Sequence, residues 1–141
     1  MAETNLNIRT KVKICGLRTL EDARYASGAM ADFLGFIFYP KSIRYVDPDQ
    51  AAAIMAWIEG PQTVGVFVDQ PLDDVIEIAK KTGIKMIQLH GNESPEYCDL
   101  LSLPIIKAIP VRSEDTVTSI YEKLNPYLGK VAYLLFDHQL G

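Results

Sequence analysis

The sequence predicts a parallel α/β fold in which apolar strands and amphipathic helices alternate along the chain. Three observations predict it. Six short runs rich in β-branched or aromatic residues recur at intervals of roughly 19 to 30 residues, which leaves room for one crossover helix between successive strands. Most of these runs are apolar at successive rather than alternate positions, the pattern of strands covered on both faces. Each gap holds a segment with helical start or stop signals. At 141 residues the chain has the size of one domain with one core.

The elements follow in order. Residues 1–10 are polar, with neither the apolar stretch nor the cleavage pattern of a secretory signal, and read as a loose leader to a domain over 11–141. Val12–Ile14 is the first strand. Thr19-Leu20-Glu21-Asp22 resembles a capping box, its acidic residues facing the positive end of the helix dipole, and Gly28 is the expected stop. Phe33–Phe38 is the second strand. Asp47-Pro48 then places a capping carboxylate before a proline, whose missing N–H costs nothing at the first helical position. Thr63–Val68 is the third strand, after which Asp69 reads either as a helix cap or as a site residue. Leu72, Val75, Ile76 and Ala79 recur at helical spacing before Gly83. Met86–Leu89 is the fourth strand, and Ser94-Pro95 repeats the cap-before-proline signal. Cys98 falls on the side of Tyr97, Leu100 and Leu101 and reads as core. Ile105–Ile109 is the fifth strand, Ser113 the expected cap of a helix carrying Val117, Ile120, Tyr121 and Leu124, and Val131–Phe136 the sixth strand. This pattern fits a barrel and an open sheet equally.

Composition narrows the function classes. Hydrophobic residues make up 48% and charged residues 23%, which excludes disordered and collagen-like chains. A net charge of −4 with interspersed signs gives no electrostatic footprint for nucleic acid. The most apolar stretch free of charges and turn residues, Ala51–Ile58, falls far short of the roughly 20 residues a membrane helix needs. Cys15 and Cys98 lie far apart without metal or redox spacing, and the expected state is two reduced thiols in a cytoplasm. No G-x-G-x-x-G, P-loop, G-x-S-x-G or H-E-x-x-H motif occurs, so dinucleotide, P-loop and zinc chemistry lose support.

Ligands of α/β folds bind at the carboxyl ends of the strands. Here those ends deliver Cys15-Gly16, the stretch from Tyr39 to Arg44, Asp69, His90-Gly91, Pro110 with Arg112, and Asp137-His138. Each has a plain structural alternative. A single cysteine packs as a small hydrophobe more often than it reacts, an aspartate after a strand often caps the next helix, a histidine can bond a nearby carbonyl, and most arginines are surface residues. Together, however, they put ionisable groups on one face.

Three motifs taken together resemble the phosphoribosylanthranilate isomerase family. They are Lys13-Ile14-Cys15-Gly16-Leu17, then Gly35-Phe36-Ile37-Phe38 running into Tyr39-Pro40-Lys41-Ser42-Ile43-Arg44-Tyr45-Val46, and Gln88-Leu89-His90-Gly91. Val64-Gly65-Val66-Phe67-Val68 and Leu135-Phe136-Asp137 follow the same order, so the resemblance covers nearly the whole chain from Val12 onward. It implies a TIM-type (β/α)8 barrel and a cofactor-free, metal-free Amadori rearrangement in tryptophan biosynthesis. The implied substrate is a phosphosugar, N-(5-phosphoribosyl)anthranilate, and the product 1-(2-carboxyphenylamino)-1-deoxyribulose 5-phosphate. By the same resemblance Cys15 is the general base and Asp137 the general acid, while Arg44 and His90 line the substrate site. The residue types suit the task. An acid at Asp137 protonates the ring oxygen and opens the sugar to a Schiff base, whose positive charge acidifies the neighbouring C–H for a Cys15 thiolate. Arg44 can favour that thiolate or hold the anthranilate carboxylate.

The sequence departs from the family pattern in places. Ile43 stands where proline is common, and His138-Gln139 follows the aspartate where a small hydroxyl residue is usual. Six strands are present where a barrel has eight, so the expectation is an incomplete barrel lacking its last two β/α units and ending short of the family's length. The phosphate of such barrels sits on the loops after strands seven and eight. The expected consequences are weak or absent turnover by this chain alone, and open edges at strands one and six that favour self-association. Two further readings stay open at this point: a complete doubly wound domain binding a phosphorylated small molecule, and an interaction fragment completed by a partner chain.

Overall fold

The computed structural model describes residues 9–138; the expected leader falls largely outside them, with residues 1–8. Six strands and five α-helices alternate: β1 (Lys13–Cys15), α1 (Leu20–Gly28), β2 (Phe33–Ile37), α2 (Pro48–Met55), β3 (Gln62–Phe67), α3 (Leu72–Thr82), β4 (Met86–Leu89), α4 (Pro95–Asp99), β5 (Ile105–Val111), α5 (Val117–Leu124) and β6 (Tyr133–His138). A single 3₁₀ turn, Asn125–Tyr127, follows α5. All neighbouring strands pair in parallel, in the sequential order β1-β2-β3-β4-β5-β6. A doubly wound sheet reverses its strand order at a switch point. This sheet has no reversal, which removes the doubly wound alternative.

The sheet is rolled. In a flat sheet β1 and β6 would stand about 24 Å apart, at the usual spacing between neighbouring strands. Here Lys11, just before β1, donates from Nζ to the Tyr133 hydroxyl of β6 at 3.1 Å. The Phe33 and Tyr133 rings meet edge to face, with centroids 5.9 Å apart. Alternation along each strand then separates two cores. Leu34, Phe36, Phe67, Ile87, Leu89 and Ile105 face outward and pack with Ala23, Ala51, Ile54, Val75 and Cys98 of the helices. Phe33, Val64, Met86, Ile106 and Leu135 face inward and pack on one another without any helix. This is the architecture of a partly closed (β/α) barrel. The end strands are its open sides, with Val12, Ile14, Tyr133 and Phe136 between 40% and 54% exposed.

Most helix boundaries follow the local signals. Thr19 Oγ1 accepts from the Asp22 amide, Asp47 from Asp49 and Gln50, and Ser94 from Tyr97. Gly83 ends α3 in the left-handed region at φ 72°, where a side chain is disfavoured. Three expectations are corrected. Gly28 is the last helical residue of α1, and the left-handed position is Met30. The cap of α5 is Thr116 rather than Ser113, because Thr116 and Ser119 form a reciprocal capping box three residues further on. Asp69 does not cap α3, whose N-cap is Pro71. Among the described residues no helix is long and apolar enough to cross a membrane.

Candidate active site

The carboxyl ends of the strands converge on one mouth of the rolled sheet, and every residue expected at the site is placed there. Cys15 is the last residue of β1 and is half-buried. Its alternate-position neighbour Lys13 faces the same interior. The space around Cys15 depends on glycine: a Cβ at Gly35 of β2 would stand 2.8 Å from the Cys15 sulfur. Gly16, at φ 90°, turns the chain out of the strand. A Cβ there would meet the Arg44 Cδ at 2.7 Å, so Gly16 lets the Arg44 side chain lie across the turn. Arg44 Nη1 donates to the Cys15 carbonyl at 3.3 Å, which sets the guanidinium beside the end of β1. The loop carrying Arg44 is tied back by the bridge between Ile37 and Tyr45 and by Ser42 Oγ, which accepts from the Arg44 amide.

On the opposite side, His90 Nε2 lies 2.8 Å from Asp137 Oδ2. Asp137 lies within β6, which runs two residues past the strand end expected at Phe136. Both side chains remain open to solvent, at 30% and 45% exposed. They line a cavity of about 260 Å³ together with Asp69, Asn92 and Arg112. Asp69 takes a left-handed φ of 49°. Its Oδ1 accepts from the Asn92 amide at 2.7 Å, and its close approach requires glycine at 91, where a Cβ would come within 2.5 Å of the carboxylate. The expected residues therefore form two pairs, Cys15 with Arg44 and His90 with Asp137.

Residues that the sequence analysis did not single out join and support these pairs. Lys13 Nζ donates to Gln88 Oε1, and Gln88 Nε2 reaches His90 Nδ1 at 3.0 Å. Burial pushes the Lys13 ammonium below the usual lysine range, opposed by the charge of nearby Cys15. Beneath the β4–α4 loop, Glu93 and Lys107 form a pair at 3.4 Å, only 2% and 4% exposed. Glu93 also accepts from the amides of Asp69 and Gly91, both at 2.9 Å. Lys107 donates to the Gly91 carbonyl at 2.6 Å and lies over the Tyr127 ring. The signal for these residues was in the sequence: Lys13, Gln88 and Lys107 are polar positions within otherwise apolar strands. Cys98 is buried core as expected, and burial pushes its thiol up.

Comparison with known proteins agrees with this architecture. Residues 12–141 match the family described as N-(5'phosphoribosyl)anthranilate (PRA) isomerase. The N-(5'-phosphoribosyl)anthranilate isomerase of Geobacter sp. (strain M21) is 46% identical over 121 residues, covering 84% of this chain and 59% of that protein. The isomerase of Thermotoga neapolitana is 42% identical over 117 residues, or 79% of this chain and 56% of the relative. The chain thus spans little more than half the length of these curated relatives. The crystal structure of phosphoribosyl anthranilate isomerase from Thermotoga maritima superposes with a TM-score of 0.84 at 32% identity, over 94% of this chain and 63% of that one. Another solved isomerase, in complex with reduced 1-(O-carboxyphenylamino)-1-deoxyribulose 5-phosphate, gives a TM-score of 0.80 at 31% identity, over 94% of this chain and 77% of that one. A family match over nearly every described residue, on the same sequentially wound sheet, means that this chain belongs to the N-(5'-phosphoribosyl)anthranilate isomerase family.

Proposed function

We propose that this chain carries the acid–base apparatus for isomerising N-(5-phosphoribosyl)anthranilate to 1-(2-carboxyphenylamino)-1-deoxyribulose 5-phosphate in tryptophan biosynthesis. The observation that carries this reading is the convergence of a half-buried thiol and a solvent-open carboxylate on one mouth of the rolled sheet. Asp137, in its protonated form, gives its proton to the ribose ring oxygen. The C1–O bond breaks and a protonated Schiff base forms. Cys15, as thiolate, takes the C2 proton, and the electron pair neutralises the iminium to an enolamine. Uptake of a proton at C1 and loss of one from the 2-hydroxyl give the ketone. Arg44, at the end of β1 beside Cys15, is placed to hold the anthranilate carboxylate. His90 supports Asp137 and lines the sugar side.

The reduced product analogue bound by the solved isomerase is the probe for this reading. Added to the 15N-labelled protein, it is expected to shift the signals of Cys15, Arg44, His90 and Asp137. Unchanged signals at all four would overturn the assignment. Turnover, followed as loss of anthranilate fluorescence, is expected to be weak for these 141 residues, because barrels of this type grip phosphate on the loops after strands seven and eight. Cys15→Ala and Asp137→Asn should each abolish it.

Two further properties belong to the same proposal. The exposed apolar residues of β1 and β6 favour self-association through the open edges, so sedimentation should show oligomers that dissociate when Ile14 and Phe136 are made polar. The two free thiols suit a reducing compartment such as the cytoplasm.

A further inference from the structure

We propose that Lys13 and Gln88 are positioning residues that hold His90 as its Nε2–H tautomer and thereby keep the acidic proton of Asp137 on Oδ1, facing the substrate. This rests on the reading of Asp137 as the general acid. It uses two strand residues that neither touch nor react with the sugar in the scheme above.

Donor and acceptor capacities fix the chain of hydrogen bonds from one end. The Lys13 ammonium can only donate, so the Gln88 atom facing it is the carbonyl oxygen. That choice leaves the Gln88 NH₂ pointing at His90 Nδ1, 3.0 Å away. An NH₂ group can only donate, so Nδ1 accepts and carries no proton. The ring proton of neutral His90 therefore sits on Nε2 and is donated to Asp137 Oδ2 at 2.8 Å. Reversing the Gln88 amide would set NH₂ against ammonium, and an Nδ1–H tautomer would set N–H against NH₂. Gln88 is 2% exposed, so water cannot relieve either clash.

The consequence falls on Asp137. With Oδ2 accepting from His90, a proton on this carboxyl has its place on Oδ1. When that proton passes to the ring oxygen, Asp137 is left as a carboxylate whose Oδ2 keeps the His90 donor, and the hydrogen bond strengthens as charge develops. The chain also runs from β1, which carries Cys15, to β6, which carries Asp137, so the two ends of the rolled sheet are linked by the groups that orient the acid.

Long-range 1H–15N correlation spectra of the 15N-histidine-labelled protein test this without substrate. The sequence has two histidines, and His138→Gln identifies the other signal. At a pH where His90 is neutral, a protonated Nε2 and a bare Nδ1 are expected, and a protonated Nδ1 in the unmodified protein would overturn the proposal. Gln88→Glu replaces the amide donor by a carboxylate acceptor and should move the proton to Nδ1. Lys13→Met should leave a tautomer mixture, and Lys13→Arg should restore Nε2–H. An unchanged tautomer in Gln88→Glu and Lys13→Met would equally refute it. In turnover, Gln88→Leu, which leaves Lys13 beside Cys15, is expected to lower kcat about 10- to 100-fold with KM nearly unchanged, the size of effect that orienting partners of a catalytic group show. Turnover by Asp137→Asn equal to that of the unmodified protein would instead refute the acid assignment and leave the tautomer result standing.

Discussion

Replacing Glu93 by glutamine should cost this protein more than replacing its partner Lys107 by methionine. The two side chains are 3.4 Å apart and almost fully buried, so removing either charge strands the other in a medium that solvates it poorly. Breaking a buried pair in this way typically costs about 3–5 kcal/mol. The partners are not equally supported. The Glu93 carboxylate would keep the amides of Asp69 and Gly91 as charge-assisted donors. The Lys107 ammonium would keep only the Gly91 carbonyl and the face of Tyr127. In Glu93→Gln the new NH₂ must also face a backbone N–H or the ammonium. The expected losses are therefore near the top of that range for Glu93→Gln and near or below its bottom, about 2–3 kcal/mol, for Lys107→Met. Urea unfolding reads the difference directly: with a slope of about 2 kcal/mol/M, the midpoints should fall by about 2–2.5 M and 1–1.5 M respectively. Equal shifts, or a shift below about 0.5 M for Glu93→Gln, would refute the argument. Because Glu93 ties Gly91, next to His90, to Asp69 of the β3–α3 loop, that variant should also broaden the His90 amide signal.

Other outcomes follow from single contacts. Gly35→Ala drives a Cβ to within 2.8 Å of the Cys15 sulfur and 3.2 Å of its Cα; it should cost about 1–3 kcal/mol and change the rate at which Cys15 reacts with a disulfide reagent, while Gly28→Ala, in open space, should do neither. Thr116→Ala removes the capping box of α5 and should lower stability by about 0.5–2 kcal/mol in thermal melts. Bonds from Lys123, the Arg112 amide and Ser119 pull the Asp115 carboxyl down from 3.8 to about 2. A depressed carboxyl binds protons more readily in the unfolded chain, so its stabilisation is complete above 3.8 and is lost as pH falls through about 2. Lys123→Met should flatten the melting temperature over that window, and an unchanged acid limb would count against the pairing.

Much of the fold was legible in the residues because it rests on local rules. The six apolar runs, Thr19, Asp47 and Ser94 as caps and Gly83 as a stop are each set by neighbours within a few positions. The sites read least well were those where two local signals competed. Ser113 and Thr116 both offer a capping hydroxyl, and only Thr116 has Ser119 to complete the reciprocal bond. Asp69 lost its capping role because its amide and carboxylate are engaged by the β4–α4 loop, far along the chain.

The sequence by itself determined the strand–helix alternation, the motifs around Cys15, Arg44, His90 and Asp137, and their delivery to the carboxyl ends of the strands. Periodicity and capping depend on spacing along the chain, and spacing is written in the sequence. Tertiary structure alone decided that the sheet rolls instead of lying open, that Lys13 meets Gln88 across three intervening strand pairings, and that His90 meets Asp137 from 47 residues away. Those contacts depend on curvature and on which face of each strand turns inward. A lysine or glutamine inside an apolar strand announces that a partner must exist, since a buried polar group left unbonded is costly, but only the closing of the sheet settles which partner it is.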